Sequence, residues 1–166
     1  MNTLVVYTSK TGFTKQYAEE IAARLGCEAM PAGSVPVERL AKADVVVYGG
    51  WVFAGKVNGL AKARPLVRGK LIVFAVGATR APEMDLDALR TANALEKEPL
   101  FYLEGGFRFD RLGMLMRFMI KTLGRMAAKK ENPTEQDRMM AGMNGANFDY
   151  YDAQAVAPLV AAAQAL

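Results

Sequence analysis

The sequence predicts a doubly wound α/β fold, with helices on both faces of a parallel sheet. Short apolar runs rich in Val, Ile, Leu, Phe and Tyr recur along the chain, and none of them alternates with polar residues. Such runs are typical of strands that are buried on both faces of a sheet. Segments with helical spacing lie between the runs, and this alternation indicates the α/β class. The runs are residues 3–8 (TLVVYT), 44–50 (DVVVYGG), 70–77 (KLIVFAVG) and 100–106 (LFYLEGG).

The first helix follows the first strand directly. Residues 14–25 place apolar side chains, among them Tyr17, Ile21 and Leu25, on one helical face. The length of 166 residues suits a single domain, 1–166, with a substantial core. The other predicted elements are helices over 85–95 and 153–166, and a weaker strand near a sheet edge within 26–33 (GCEAMPAG).

Cysteine and histidine usage excludes several classes of chemistry. The single cysteine, Cys27, cannot form an internal disulfide and fits a reducing compartment. The chain has no histidine, which removes Cys–His metal sites, Ser–His and Cys–His nucleophile pairs and any histidine general base. We therefore predict no metal site and no catalytic side chain. If the protein is an enzyme, a cofactor carries the chemistry.

The mild positive charge of the chain limits the classes of partner that it can attract. A net charge of +4 and a pI of about 9.2 are compatible with an anionic ligand, an anionic membrane surface or nucleic acid. No run of Lys and Arg resembles a nucleic-acid arm, so no nucleic-acid partner is predicted. No signal peptide and no uncharged apolar run of spanning length is apparent. The expected location is the cytoplasm, or the inner face of the cytoplasmic membrane as a peripheral protein.

Residues 107–150 interrupt the alternation of strands and helices. The segment lies between the last strong strand and the last helix and is too long for a simple connection. It is predicted as an insertion with an amphipathic helix within 111–130 (RLGMLMRFMIKTLGRMAAKK). Residues 131–152 (ENPTEQDRMMAGMNGANFDYYD) are predicted as an irregular loop.

The turn after the first strand is the first candidate site. Ligands of doubly wound sheets bind beyond the carboxyl ends of the strands, where the strand order reverses. The turn is neither a GxGxxG nor a Walker loop, and its hydroxyls and backbone amides suit a phosphomonoester at a helix start. An ordinary capped helix start is the alternative. The turn comprises Ser9, Lys10, Thr11, Gly12, Phe13 and Thr14.

This stretch, VVYTSKTGFTKQYAEEI, resembles the flavodoxin signature. Val5, Val6, Tyr7, Ser9, Gly12, Thr14, Ala18 and Ile21 occupy the positions of that signature in register. The resemblance implies a five-stranded parallel sheet of order 2-1-3-4-5 and FMN as the cofactor. It also implies that the loop holds the FMN 5′-phosphate, with hydroxyls from Ser9, Thr11 and Thr14 and backbone N–H groups from Lys10, Gly12 and Phe13.

Two further loops enclose the flavin ring in flavodoxins, and the resemblance assigns them here to residues 49–59 and 76–84. Gly49 and Gly50 are predicted to admit a flat ligand, and an aromatic side chain to stack on it or pack beneath the loop. Arg80 is predicted either to raise the flavin potential from the N1–C2 carbonyl edge or to be solvated. The assigned residues are Gly50, Trp51, Val52, Phe53, Gly77, Ala78, Thr79 and Arg80.

The helix in the insertion allows three interpretations. Cations recur every four residues along it, at Arg117, Lys121 and Arg125. A wide apolar face is formed by Leu112, Leu115, Met116, Met119, Ile120, Leu123 and Met126. The helix is a core helix with a solvated basic stripe, an interfacial helix on lipid or a hydrophobic substrate, or a docking site for a partner protein.

The order of residues in GGFRFDRLGMLMRFMIKTLGRMA resembles the flavodoxin-type bacterial protoporphyrinogen oxidases, which pass electrons to a quinone. This second resemblance covers mainly residues 102–127. It implies that Arg108, Arg111 and Arg117 meet substrate carboxylates or lipid headgroups.

Three functions therefore stay open from the sequence. The first is an FMN electron-transfer protein, and the second is a menaquinone-dependent oxidase of the protoporphyrinogen type. The third is a binding module that has kept the fold. The expected partner is a redox protein or a quinone, with peripheral membrane contact through 111–126 and an oligomeric state both left open.

Overall fold

A mixed sheet with five parallel strands forms the centre of the fold in this computed structural model. Its strands are β1 (Thr3–Thr8), β2 (Glu28–Pro31), β3 (Val45–Phe53), β4 (Lys56–Val57), β5 (Lys70–Gly77) and β6 (Leu100–Glu104). The parallel strands lie in the order β2-β1-β3-β5-β6, and β4 pairs antiparallel with the end of β3. Counted among the parallel strands alone, this is the order 2-1-3-4-5. The predicted fold class is confirmed.

The structure describes the backbone of all 166 residues and the side chains of all but residues 135 and 136. It divides into two compact units, which are described separately. The first unit comprises Met1–Gly105 and Tyr150–Leu166, and the second comprises Gly106–Asp149. The second unit nearly coincides with the predicted insertion, residues 107–150. A single domain spanning the chain stays a prediction.

The first unit contains the helices α1 (Phe13–Leu25), α2 (Val37–Lys42), α3 (Leu60–Ala63), α4 (Leu86–Ala92) and α7 (Ala157–Gln164). The second unit contains α5 (Met114–Ala128) and α6 (Glu135–Gly142). The expected helix over 85–95 is shorter because Asp85 caps its start and Ala94, with φ 51°, lies beyond its end. The expected helix over 153–166 begins as a 3-10 turn at Ala153–Val156.

Two apolar layers bury the central strands, because side chains of β1, β3 and β5 point alternately to the two faces. Burial of each such side chain stabilises the fold by roughly 1.5–3 kcal/mol. One layer combines Val5, Val47 and Phe74 of the sheet with Tyr17, Ile21 and Leu159 of α1 and α7. The other combines Val6, Val46, Tyr48 and Val73 with Leu40, Leu60 and Leu89 of α2, α3 and α4.

The second unit contains α5, α6 and a two-stranded antiparallel sheet of β7 (Gly106–Arg108) and β8 (Asn147–Asp149). The prediction of an irregular loop over 131–152 is wrong, because α6 and β8 lie within it. A capping box starts α6, in which Thr134 and Asp137 each accept a hydrogen bond from the other's backbone. β8 forms because Phe148 pairs with Phe107 across the ladder.

Helix α5 is shorter than the expected 111–130 because Phe109–Arg111 form a 3-10 turn and Gly113 is extended. Among the described residues, no helix combines the length and apolarity that crossing a bilayer requires.

Candidate functional site

Three connections meet at the carboxyl edge of the parallel sheet. Thr8 of β1 pairs with Gly50 of β3, and Gly50 in turn pairs with Ala75 of β5. Since these strands are neighbours, the residues that follow them lie side by side. The first unit thereby brings together the loop after β1, the end of β3 and the loop after β5. Together with the first turn of α1 and the last residue of β5, these contain all the residues predicted to bind the cofactor.

The loop after β1 leads into the start of α1, where the N-cap residue is a glycine. Gly12 is the N-cap of α1 with φ 101°, a conformation that glycine adopts without strain. Among the side chains that the structure describes, none caps the helix at this residue, and the Gly12 N–H donates to the Ser9 hydroxyl at 3.2 Å. The positive end of the α1 dipole therefore faces this turn. Thr14, in the first helical turn, is a polar residue with only 1% of its surface exposed.

An open cavity of about 430 Å³ lies beside this turn. Its wall includes Ser9, Lys10, Gly12 and Lys15, together with residues 31–33 at the end of β2. Hydroxyl, backbone amide and ammonium groups are donors that suit an anion. Lys15 also lies 3.7 Å from Glu19 one turn further along α1, an exposed contact of little energetic consequence.

Residues 49–59, which were expected to form a loop, form mainly a β-hairpin. β3 continues to Phe53, and Val52 and Phe53 pair with Val57 and Lys56 of β4. The turn consists of Ala54 and Gly55, with φ of 48° and 74°, as in the two-residue turns that match the twist of a hairpin. The rings of Trp51 and Phe53 lie 5.7 Å apart and are tilted by 55°.

The glycines of β3 have a packing role of their own. A Cβ on Gly49 would come within 1.9 Å of the Phe74 ring, and one on Gly50 within 2.6 Å of the Asn58 carbonyl oxygen. The core and the hairpin therefore both require glycine here, whatever the ligand. The role of Gly50 towards a flavin stays a prediction.

The loop after β5 is fixed by β6. The Arg80 guanidinium lies 3.2 Å from one carboxylate oxygen of Glu104, and the Ala81 N–H donates to the other at 2.7 Å. The Tyr102 hydroxyl donates to the Thr79 carbonyl at 2.8 Å. Arg80 also stacks 4.4 Å from the centre of the Tyr150 ring. Because Glu104 pairs with Arg80, the net charge that the loop presents is smaller than a lone arginine would give.

Comparison with known proteins decides the family. The family model described as a flavodoxin domain matches residues 4–134 of the chain. The chain belongs to the flavodoxin domain family. This membership confirms FMN as the cofactor that the sequence predicts. A comparison with curated protein sequences found no match.

Solved structures similar to this flavodoxin domain are distant in sequence. A WrbA-like flavodoxin from Agrobacterium tumefaciens is 21% identical over 49% of this chain and 62% of its own, with a TM-score of 0.41. An archaeal flavodoxin is 15% identical over 87% and 97%, with a TM-score of 0.47. A flavoprotein from Lactobacillus acidophilus, solved in complex with FMN, is 15% identical over 62% and 91%, with a TM-score of 0.43. The chain thus spans about three fifths of the WrbA-like protein and nearly all of the archaeal one.

The donor set of the flavodoxin domain fits FMN. A phosphate carries negative charge, and the turn after β1 offers hydroxyls, a lysine and a helix start that lacks a side-chain cap. The isoalloxazine ring is flat and aromatic. The end of β3, which neighbours β1 in the sheet, offers the aromatic side chains of Trp51 and Phe53.

Several supporting residues could not be identified from the sequence. The Asn93 side chain donates to the carbonyl oxygens of Gly55 and Leu89 at 2.9 and 2.8 Å, and it accepts the Val57 N–H at 2.8 Å. It therefore ties the end of α4 to both sides of the hairpin turn. A turn-type asparagine at the end of a helix is the signal in the sequence, but it does not reveal the partner.

Two buried tyrosines hold the base of the site. The Tyr48 hydroxyl lies 2.8 Å from the Thr8 hydroxyl and donates to the Asn58 carbonyl at 3.0 Å. The Tyr17 hydroxyl donates to the Glu104 carbonyl at 2.6 Å. Burial raises the pKa of Tyr48, and it raises the pKa of Tyr17 to about 12. Both phenols therefore stay protonated donors at neutral pH.

The three arginines predicted to meet a substrate or a membrane lie in or beside the small sheet and α5 of the second unit. Arg108 pairs with Asp149 at 2.9 Å, and Arg117 donates to the Asp110 carbonyl. The Arg117 Nε is buried without a hydrogen-bond partner among the described residues. Arg111 is exposed.

Proposed function

We propose that this flavodoxin domain is an FMN-dependent electron-transfer protein. The observation that carries the proposal is the uncapped start of α1 at the carboxyl end of β1, next to the aromatic pair at the end of β3. An anion-binding turn beside an aromatic surface matches the two ends of FMN. The expected location is the cytoplasm, and the expected partner is a redox protein or a quinone.

The residues of the turn hold the phosphate in this proposal. Hydroxyls of Ser9, Thr11 and Thr14 donate to it, as do backbone N–H groups of Lys10, Gly12 and Phe13. In this proposal the Gly12 N–H turns from the Ser9 hydroxyl, to which it donates in the structure, to the phosphate. The ring end is assigned to Gly50, Trp51, Val52 and Phe53 on one side and Gly77, Ala78, Thr79 and Arg80 on the other.

Bound FMN supplies reversible one- and two-electron chemistry, whereas the chain orients it and sets its surroundings. Arg80 favours negative charge on the ring, and Glu104, which holds Arg80 in place, opposes that effect. The two residues together therefore set the potential at this edge of the ring.

Calorimetric titration of the purified chain with FMN and with riboflavin tests this proposal. We expect one FMN per chain and a dissociation constant for riboflavin at least roughly tenfold higher, because riboflavin lacks the phosphate. The reduced holoprotein should then pass electrons to cytochrome c in a stopped-flow absorbance measurement. Absence of FMN binding, or equal affinity for riboflavin, would contradict the assignment of the turn.

A second candidate function is oxidation of protoporphyrinogen with menaquinone as the electron acceptor. The observation that favours it is the concentration of positive charge in residues 111–130, which suits a substrate with carboxylates. An anaerobic assay that follows porphyrin absorbance with a menaquinone analogue decides it. Quinone-dependent porphyrin formation above that of flavin-free protein supports this candidate, and a flat trace with FMN bound eliminates it.

A further inference from the structure

Helix α5 exposes its largest apolar side chains. The exposed fractions are 88% for Met114, 83% for Leu115, 69% for Phe118 and 63% for Met126. The opposite side of the same helix is buried at Ile120, Gly124 and Ala127. A Cβ on Gly124 would lie 3.1 Å from the Met140 carbonyl oxygen, so this buried side packs closely against α6. Within the second unit, the helix thus has one face packed and one apolar face open.

Positive charge is concentrated on this helix and its flanks. Residues 111–130 contain six Lys or Arg and no Asp or Glu, whereas the net charge of the whole chain is only +4. The rest of the chain is therefore slightly acidic. The basic character of the protein resides in one short segment, the one that also exposes the apolar side chains.

The helical geometry places the two features next to each other. At about 100° per residue, Phe118, Leu115 and Met126 fall within roughly 80° of the helix circumference. Arg125 and Lys121 lie on one flank of that arc, about 20° and 60° from Phe118. Both cations are exposed. An apolar arc bordered by cations is the pattern of helices that lie in the plane of a membrane interface.

We propose that the α5 surface, formed by Met114, Leu115, Phe118 and Met126 with Lys121 and Arg125, binds an anionic lipid bilayer. The apolar side chains enter the boundary between headgroups and acyl chains, and the cations meet lipid phosphates. With 15 residues the helix is about 22 Å long, too short to cross the bilayer, so it lies along the surface.

Charge distinguishes this occupant from a second copy of the chain. A symmetric pair would bring two segments, each with six cations and no acidic residue, against each other. Such an arrangement is repulsive, whereas an anionic membrane attracts each Lys or Arg near its surface. The proposal goes beyond the proposed electron-transfer function and does not depend on FMN.

Co-sedimentation of the full chain with vesicles tests the proposal. We expect binding to phosphatidylglycerol vesicles, weaker binding at high salt, and little binding to vesicles of phosphatidylcholine alone. The double variant Leu115→Gln/Phe118→Gln should weaken binding by about tenfold or more. The charge variant Lys121→Gln/Arg125→Gln should weaken it roughly 25-fold, about fivefold for each cation removed.

Matched controls lie in the first unit. Val37→Gln/Leu86→Gln removes two exposed apolar side chains, and Lys42→Gln/Lys97→Gln removes two exposed cations. Both should bind vesicles like the wild type. An unchanged circular dichroism spectrum and urea unfolding profile show that the α5 variants are folded. If the apolar double variant is not folded, the single variant Met126→Gln replaces it.

Equal binding to the two kinds of vesicle would overturn the proposal, and so would α5 variants that bind like the wild type. Sedimentation velocity without lipid tests whether the α5 surface binds a second copy of the chain instead. A concentration-dependent dimer that Leu115→Gln/Phe118→Gln abolishes, in a chain that does not bind vesicles, would assign the surface to a second copy instead.

Discussion

At the scale of single residues, Thr14 tests the phosphate site most directly. Its side chain is buried in the first turn of α1, and valine has nearly the same shape without the hydroxyl. Thr14→Val should raise the FMN dissociation constant by roughly 10- to 150-fold, since a hydrogen bond to a charged group contributes about 1.5–3 kcal/mol. Calorimetric titration measures it.

Thr122→Val is the matched control for this prediction. The Thr122 hydroxyl donates to the Phe118 carbonyl on α5 and lies in the second unit. Its removal should leave FMN affinity unchanged. An unaltered dissociation constant in Thr14→Val would exclude the Thr14 hydroxyl from the site.

Asn93 carries a second prediction at this scale. Asn93→Ala removes three hydrogen bonds and leaves the N–H of the buried Val57 without its acceptor. We expect a loss of about 1–3 kcal/mol in the free energy of unfolding and weaker FMN binding, because the hairpin that carries Trp51 loses its tie to α4. Urea unfolding and calorimetry measure the two effects.

The exposed Asn144, in the second unit, provides the comparison for that substitution. Asn144→Ala should change neither stability nor affinity appreciably. If Asn93→Ala unfolds at the same urea concentration as the wild type, the hairpin does not depend on this side chain.

At the scale of elements, α6 shows how a helix start depends on pH. Hydrogen bonds from Lys130 and from the backbone and hydroxyl of Thr134 lower the pKa of Asp137 to about 2. The folded state therefore binds its proton less readily than the unfolded chain. The stabilisation is present above the ordinary pKa of 3.8 and is lost as the pH falls from there to about 2.

An NMR titration of the Asp137 side-chain carboxyl should therefore have its midpoint near pH 2, and protection of the α6 amides should decrease over the same range. Lys130→Gln removes the largest cause of the shift and should move the midpoint upwards. A wild-type midpoint close to 3.8 would show that the capping box is not formed in solution.

How far the sequence predicts each element depends on where its stabilising contacts come from. The parallel strands could be predicted because a strand buried on both faces must itself be apolar, as Val45–Val47 illustrates. β8 has no such pattern, since its three residues are stabilised by pairing with β7, about 40 positions earlier. α6 did leave a local signal in Thr134 and Asp137, at the spacing of a capping box.

The candidate site divides in the same way. The turn after β1 could be predicted because its chemistry is contiguous, from Ser9 to Thr14. The support of the loop after β5 could not, because Glu104 acts on Arg80 and Ala81 across 23 or more residues. Nothing in the local sequence of a strand-end glutamate indicates that it fixes a neighbouring loop.

At the scale of the whole molecule, the division into two units predicts which part of the chain FMN stabilises. A ligand at 100 times its dissociation constant stabilises the folded form by about 2.7 kcal/mol. Since the predicted cofactor residues all belong to the first unit, amides of β1, β3 and β5 should gain protection from hydrogen exchange, whereas those of Gly106–Asp149 should not. Exchange mass spectrometry with and without FMN measures this difference.

Equal gains in both units would contradict this prediction and would show that they unfold together. Hydrogen exchange of the α5 amides, measured with and without anionic vesicles, provides the complementary measurement. There, protection should rise in Met114–Ala128 and stay constant in the turn after β1.

Trp51 is the single tryptophan of the chain. Its ultraviolet-excited emission therefore originates from one position, at the end of β3 beside the hairpin turn. A change of that emission during denaturation follows the first unit alone, whereas the helical far-ultraviolet signal includes α5 and α6. The protein thus carries a natural optical label that distinguishes the unit with the predicted cofactor residues from the basic helical one, without any added dye.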